Sequence, residues 1–129
     1  MIRVAKLAEV PTDCETLREG LGLDFDIVAA EVRSGHAECW QFDGYGYAIT
    51  RLERHITSGL KTLVIVGTGL THKVRSAYRD IFPLIEQAAR NNGCDYIRAH
   101  CNNEPMGRYL TSLGFIYKGS EYGRQVIQQ

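Results

Sequence analysis

Apolar residues fall into runs whose spacing changes along the chain, and each change marks an element. Ile2 to Leu7 is a short extended run, broken by Pro11-Thr12-Asp13. Thr12 with Glu15 three residues on forms a capping box, which predicts a short helix ending at Gly20 and Gly22. From about Asp24, residues Phe25, Val28, Ala29 and Val32 recur at helical spacing, and Ser34-Gly35 supplies the stop. Alternation then takes over. Ala37 to Phe42 and Tyr45 to Leu52 flank Asp43-Gly44, a strong hairpin signal. Glu38, Trp40 and Phe42 should share one face of the first strand, and Tyr45, Tyr47 and Ile49 one face of the second.

The run Leu60-Lys-Thr-Leu-Val-Ile-Val66 is apolar on both faces and predicts a central strand. Gly67-Thr-Gly69 is expected to turn the chain into its longest helix, with Val74, Tyr78, Ile81, Ile85 and Ala88 on one side. Pro83 lies inside that helix and predicts a kink, because it removes a backbone donor. Asn91-Asn92-Gly93 ends it. A strand over Tyr96–Cys101 follows, then a helix carrying Met106, Tyr109, Leu110 and Leu113 with Pro105 in its first turn. Gly114-Phe115 opens another strand, and a last hairpin runs through Gly119 to Gly123. The order β-α-α-β-β-β-α-β-α-β-β predicts one mixed α/β domain over residues 1–129, with a predominantly antiparallel sheet.

Composition narrows the function classes. Fifteen basic residues balance fifteen acidic ones, so no net field draws the chain to nucleic acid or to an anionic membrane. No stretch approaches the apolar length of a membrane span, and the start Met1-Ile-Arg-Val-Ala-Lys lacks a signal peptide's apolar run. The cytoplasm is therefore the expected compartment. Four cysteines without a CxxC pair predict reduced thiols. No metal is expected: His36 with Cys39, and Cys94 with His100 and Cys101, lack ligand spacing, and His100 and Cys101 face opposite ways on a strand. The middle of the chain is locally basic, with Arg51, Arg54 and Lys61 followed by Lys73, Arg75 and Arg79. Such a stretch is either a solvated surface or a phosphate-binding one. Glu53, near a strand end, is either a surface carboxylate or a base for deprotonating an amine.

The order of elements, together with Ala88-Ala-Arg-Asn-Asn-Gly-Cys94 and Asn103 to Gly114-Phe115, resembles the GNAT superfamily of acetyltransferases. The resemblance covers essentially the whole chain and is closest from Leu63 to Phe115. It implies an acyl-CoA N-acyltransferase fold with acetyl-CoA as cofactor. In that family a glycine-rich loop opens the long helix and cradles the pyrophosphate on backbone N–H groups. The matching positions here are Lys73-Val-Arg-Ser76-Ala-Tyr78. Lys73 keeps the basic residue, but Ser76 and Tyr78 replace glycines and bring side chains close to the phosphate path. The implied cofactor contacts are Val66, Gly67, Gly69, Lys73, Arg75, Ser76 and Asn103, with Gly67 and Gly69 as substitute backbone donors. The family's general-acid tyrosine falls on Leu110. Tyr109 is one residue early, about 100° round the helix. Tyr109 and Glu53 are the candidate acid and base.

A glycine-poor loop with an aromatic-Leu pair, here Tyr109-Leu110, also resembles GNAT-like proteins of tailed bacteriophages. That narrower resemblance implies a degraded acetyl-CoA site, no cofactor, and protein contacts in virion assembly with head or tail components. The alternative is an acetyl-CoA-dependent N-acetyltransferase acting on an amine. A homodimer through Tyr117, Tyr122 and Val126 is a further expectation. An open V between the strands of Val66 and His100 favours the enzyme, and a cleft filled by Tyr78 or Leu110 favours the assembly protein.

Overall fold

The two-sided apolar run at the middle of the chain becomes the central strand of a seven-stranded sheet. A computed structural model describes residues 2–70, 74–100, 108, 110–118 and 121–127. In chain order the elements are β1 (Val4–Leu7), α1 (Glu15–Leu21), α2 (Phe25–Ser34), β2 (Glu38–Phe42), β3 (Gly46–Arg54), β4 (Lys61–Leu70), α3 (Val74–Asn91), β5 (Tyr96–His100), β6 (Ile116–Lys118) and β7 (Glu121–Gln125). Residues 108 and 110–112 are helical as well. The strands lie in the order β1-β2-β3-β4-β5-β7-β6, antiparallel throughout except for the β4–β5 pair. That pair is parallel because α3 carries the chain back across the sheet between the two strands.

Each face of the sheet buries its own core. On one face Leu63, Ile65 and Leu70 of β4 pack with Ile97 of β5 against Ala77, Tyr78, Ile81 and Ile85 of α3. On the other, Cys39 and Ile49 pack against Leu17 and Leu21 of α1 and Phe25, Val28 and Val32 of α2. The spacing Leu17–Leu21 and Phe25–Val28–Val32 is one helix face in each case, so the same stripe that predicts the helices supplies their contact surface.

Three helix ends are built alike. Gly35, Gly93 and Gly114 all have positive φ, at 85°, 69° and 93°. In each case the glycine N–H bonds back three residues and the next N–H bonds back five. These bonds run from Gly35 to Val32 and His36 to Glu31, from Gly93 to Arg90 and Cys94 to Ala89, and from Gly114 to Thr111 and Phe115 to Leu110. This is the Schellman arrangement, in which a left-handed residue satisfies the last free carbonyls.

Four expectations change. The N-cap of α1 is Cys14, not Thr12; the Thr12 carbonyl instead accepts the Arg18 Nε–H at 2.7 Å, and no side chain caps the helix. The β2–β3 turn takes three residues, since Phe42 faces Gly46 across the ladder. Tyr45 therefore sits in the turn and joins the α3-side core, while Tyr47 packs on the α1 side. Gly67-Thr-Gly69 does not turn; it continues β4 to Leu70. Finally, Val126 is buried in the α3-side core and so is not offered to a dimer edge, while Tyr122 is only partly buried against that core.

Candidate functional site

Strands β4 and β5 are paired from Thr62–Ile65 against Tyr96–Ala99. Beyond that point β4 runs on to Leu70, while His100 of β5 pairs with Glu121 of β7. The two central strands therefore part at Val66. The cause is a bulge in β4: Ile49 of β3 faces Gly67, Thr50 faces Ile65, and Val66 is the extra residue between them. An extra residue kinks its strand and sharpens the local twist. Here that carries the end of β4 away from β5.

The bulge also puts two consecutive side chains on one face. Val66 packs with the α1-side core, and a Cβ on Gly67 would lie 2.6 Å from Leu21 Cδ2 on that same side. A Cβ on Gly69 would lie 2.7 Å from Leu17 Cβ and 2.9 Å from the Leu17 backbone nitrogen. The two glycines are thus required by the close approach of α1, and they pair with Ile49 and Tyr47 in the ladder. Thr68 and Leu70 face α3. The buried Tyr78 donates its hydroxyl to Thr68 Oγ1 at 3.2 Å, so its ring lies against β4 and not at the helix start. Leu110 is buried in the same core. Both features that the sequence sets against each other are present: the strands part, and Tyr78 and Leu110 are buried in the α3-side core.

Of the sequence candidates, Val66 and Gly67 stand at the parting and Gly69 two residues beyond. Arg75 and Ser76 lie in the first turn of α3. Lys73, Asn103 and Tyr109 fall outside the described residues. Glu53 lies elsewhere. It pairs with Thr62, four residues before Val66, which is about 13 Å along the strand. Its carboxylate accepts hydrogen bonds from Arg51 at 2.8 and 3.0 Å and from Arg98 at 3.1 Å. Burial raises the Glu53 carboxyl, but the hydrogen bonds and charges of Arg51 and Arg98 outweigh it and hold the group below the usual glutamate range. Such a carboxylate takes up a proton reluctantly, which makes it a poor general base.

Arg51 also reaches Glu31 of α2 at 3.2 Å, so Glu31, Arg51, Glu53 and Arg98 form one ionic row from α2 across to β5. The sequence hints at part of it, since Arg51 and Glu53 are two apart on a strand and share a face. Arg98 cannot be joined to them without the register. Neither Cys39 nor Cys94 is poised as a nucleophile: burial, then the nearby Cys14, pushes Cys39 up to about 11, and burial raises Cys94. Among the described residues no group of three or more His, Cys, Asp or Glu is placed to hold a metal. No helix among them is long and apolar enough to cross a membrane.

No protein-family model matches the chain, and no curated protein matches it. Solved structures do. A Bacillus subtilis acetyltransferase in complex with CoA superposes with a TM-score of 0.70 and 16% identity, over 98% of this chain and 100% of that one. An IAA acetyltransferase from Bacillus cereus gives a TM-score of 0.68 at 8% identity, over 97% and 99%. A mutant of the toxin AtaT, bound to the C-terminus of the antitoxin AtaR, gives 0.67 at 12%, over 98% and 92%. At these identities the likeness is one of fold. The chain has the GNAT acyl-CoA N-acyltransferase fold.

Proposed function

We propose that this protein is an acyltransferase of the GNAT type that moves an acetyl group from acetyl-CoA to an amine. The observation that carries the reading is the parting of β4 and β5 at the Val66 bulge, which opens backbone between two strands of an otherwise continuous sheet. That it occurs in a fold shared with acetyltransferases, one of them solved with CoA, favours this reading over virion assembly. In the reaction the amine nitrogen attacks the thioester carbonyl, a C–N bond forms, the C–S bond breaks, and the thiolate leaves with the electron pair. The backbone at Val66 and Gly67 borders the place for that carbonyl. Lys73, Arg75 and Ser76 hold the phosphates at the start of α3, and Asn103 holds the pantetheine arm. Tyr109 returns a proton to the thiolate, and the proton that the nitrogen loses passes to water, from which Tyr109 is reprotonated. Glu53 fixes Arg51 and Arg98 in place of acting as a base.

A second reading keeps the fold without the chemistry, leaving a protein that works through protein contacts. The Tyr78–Thr68 hydrogen bond favours it, because it closes the α3 side of β4 just past the bulge. Calorimetric titration with acetyl-CoA and with CoA separates the two. The first reading expects micromolar affinity that Lys73→Ala weakens about tenfold or more, the size of one lost charge-assisted contact. Absence of heat at millimolar ligand, from protein shown to be folded, overturns it.

A further inference from the structure

The end of α3, strands β2 and β3 and the turn between α2 and β2 border a cavity of about 200 Å³. The register builds its floor on the α3 face of the sheet. Glu38 faces Thr50 across β2 and β3, Leu52 faces Leu63 across β3 and β4, and Trp40 lies next to Glu38 on the same side. Ala88 of α3 forms the wall, and its short side chain leaves the space open. Two polar groups meet this apolar surface. Thr50 is the one buried polar residue among the described residues, at 8% exposed. Its Oγ1 accepts the Trp40 indole N–H at 3.2 Å, and among the described residues its own O–H donates to nothing. One proton and one lone pair of that hydroxyl are thus left over beside the cavity. Glu38 brings the cavity's one carboxylate. Its Oε1 has Lys6 at 3.6 Å, longer than a charge-assisted hydrogen bond, and both side chains are partly exposed, so the pair is a loose one. No guanidinium opposes Glu38 inside the cavity, because Arg51 sends its own to Glu31 and Glu53 on the other face. His36, at the rim, is engaged with Ser34 at 2.7 Å.

We propose that this cavity binds a small alkylated ammonium carrying a hydroxyl, an aminoalcohol of the choline type. A carboxylate beside an indole face attracts a cation, and the methyl groups of an alkylated nitrogen suit the apolar surface of Trp40, Leu52 and Ala88. The ligand hydroxyl, which both donates and accepts, takes up what Thr50 has left over. Glu38 and Thr50 are directly opposed, so their side chains start only about 5 Å apart. The charged nitrogen and the hydroxyl must therefore lie within a few bonds of each other, as they do on a two-carbon aminoalcohol. Size agrees, since a cavity of about 150 Å³ already holds a benzene ring. The site is separate from the parting of β4 and β5: Ala88 lies about 15 Å along α3 from Tyr78. It stands independently of the acyl-transfer reading.

Trp40 is the single tryptophan of the chain, so its fluorescence reports on this cavity. The whole protein is titrated with choline, with dimethylbutanol, its uncharged carbon isostere, and with ethyltrimethylammonium, which lacks the hydroxyl. The expected result is a saturable change with choline. Choline should bind about tenfold more tightly than dimethylbutanol and about threefold more tightly than ethyltrimethylammonium, the sizes of one charged and one neutral contact. Glu38→Gln should erase the first ratio and leave the second. Thr50→Val should erase the second and leave the first. Ala88→Leu keeps a strong helix former on α3 while filling the space, so it should abolish the response while melting as the parent does. Should Ala88→Leu fail to fold, Glu38→Gln, at a partly exposed position, carries the test alone. No saturable response to choline overturns the proposal. So does dimethylbutanol binding as tightly as choline, a first ratio that survives Glu38→Gln, or a response unaltered in folded Ala88→Leu. Equal binding of choline and ethyltrimethylammonium overturns the Thr50 contact and with it the aminoalcohol.

Discussion

Replacing Gly69 with alanine asks whether this glycine serves the fold or a cofactor. The new methyl carbon would start 2.7 Å from Leu17 Cβ, 2.9 Å from the Leu17 backbone nitrogen and 3.0 Å from Cys14 Sγ. Leu17 is fully buried, and its nitrogen belongs to a helix, so neither can swing aside as a side-chain tip can. Overpacking of this kind costs about 1–3 kcal/mol. Removing a glycine from a strand returns roughly 0.5–1 kcal/mol of backbone entropy. The net loss is then about 1–2 kcal/mol. For a chain of 129 residues each kcal/mol lowers Tm by about 4 °C. Gly67→Ala should cost less, because its nearest contact is the flexible end of Leu21, at 2.6 Å. Urea unfolding of the two variants, with acetyl-CoA affinity measured in parallel, provides the assay. Unchanged stability in Gly69→Ala together with lost acetyl-CoA affinity would refute the packing argument and make Gly69 a cofactor contact.

Two further outcomes are expected. Glu53 has its folded pKa lowered, so its contribution to stability is fully present above the ordinary glutamate pKa of about 4.3 and is lost as pH falls through the folded value. Urea midpoints measured from pH 6 down to about 3 should therefore fall less steeply in Glu53→Gln than in the parent; parallel curves would remove the ionic row from the acid response. Gly114→Ala should destabilise by more than Gly35→Ala in the same assay. Both glycines have positive φ, worth about 1 kcal/mol to an L-residue, but only at Gly114 would a Cβ also press Arg124 Nε, at 3.3 Å. Equal losses would mean that the Arg124 side chain yields without cost.

The helix stops were legible in the sequence because a Schellman end is local: Gly35, Gly93 and Gly114 each need only the turn before them. The hairpin was legible for the same reason, although the three-residue turn that takes Tyr45 off its strand was not. Gly67-Thr-Gly69 misled because glycine usually signals a turn, whereas the demand for it comes from Leu17 and Leu21, some fifty positions earlier. Thr12 and Glu15 have capping-box spacing, yet Cys14 takes the N-cap position, because placing Leu17 and Leu21 over those glycines fixes where α1 lies. At the site, the resemblance brought Val66 forward but could not show that it is a bulge, since an extra residue is defined only against the partner strand. The Glu53–Arg98 contact was invisible for the same reason, and it depends on pairing across forty-five positions.

The Val66 bulge has a consequence for how this chain can vary. Strand β4 keeps two incompatible phases, one on each side of a single inserted residue. Remove Val66 and the alternation closes up unbroken: Gly67 follows Ile65 and faces α1, while Thr68 and Leu70 still face α3. Both cores would keep their side chains, and what would go is the kink that parts β4 from β5. A residue gained or lost elsewhere in β4 has no such compensation, because it turns a stretch of the strand onto the wrong face.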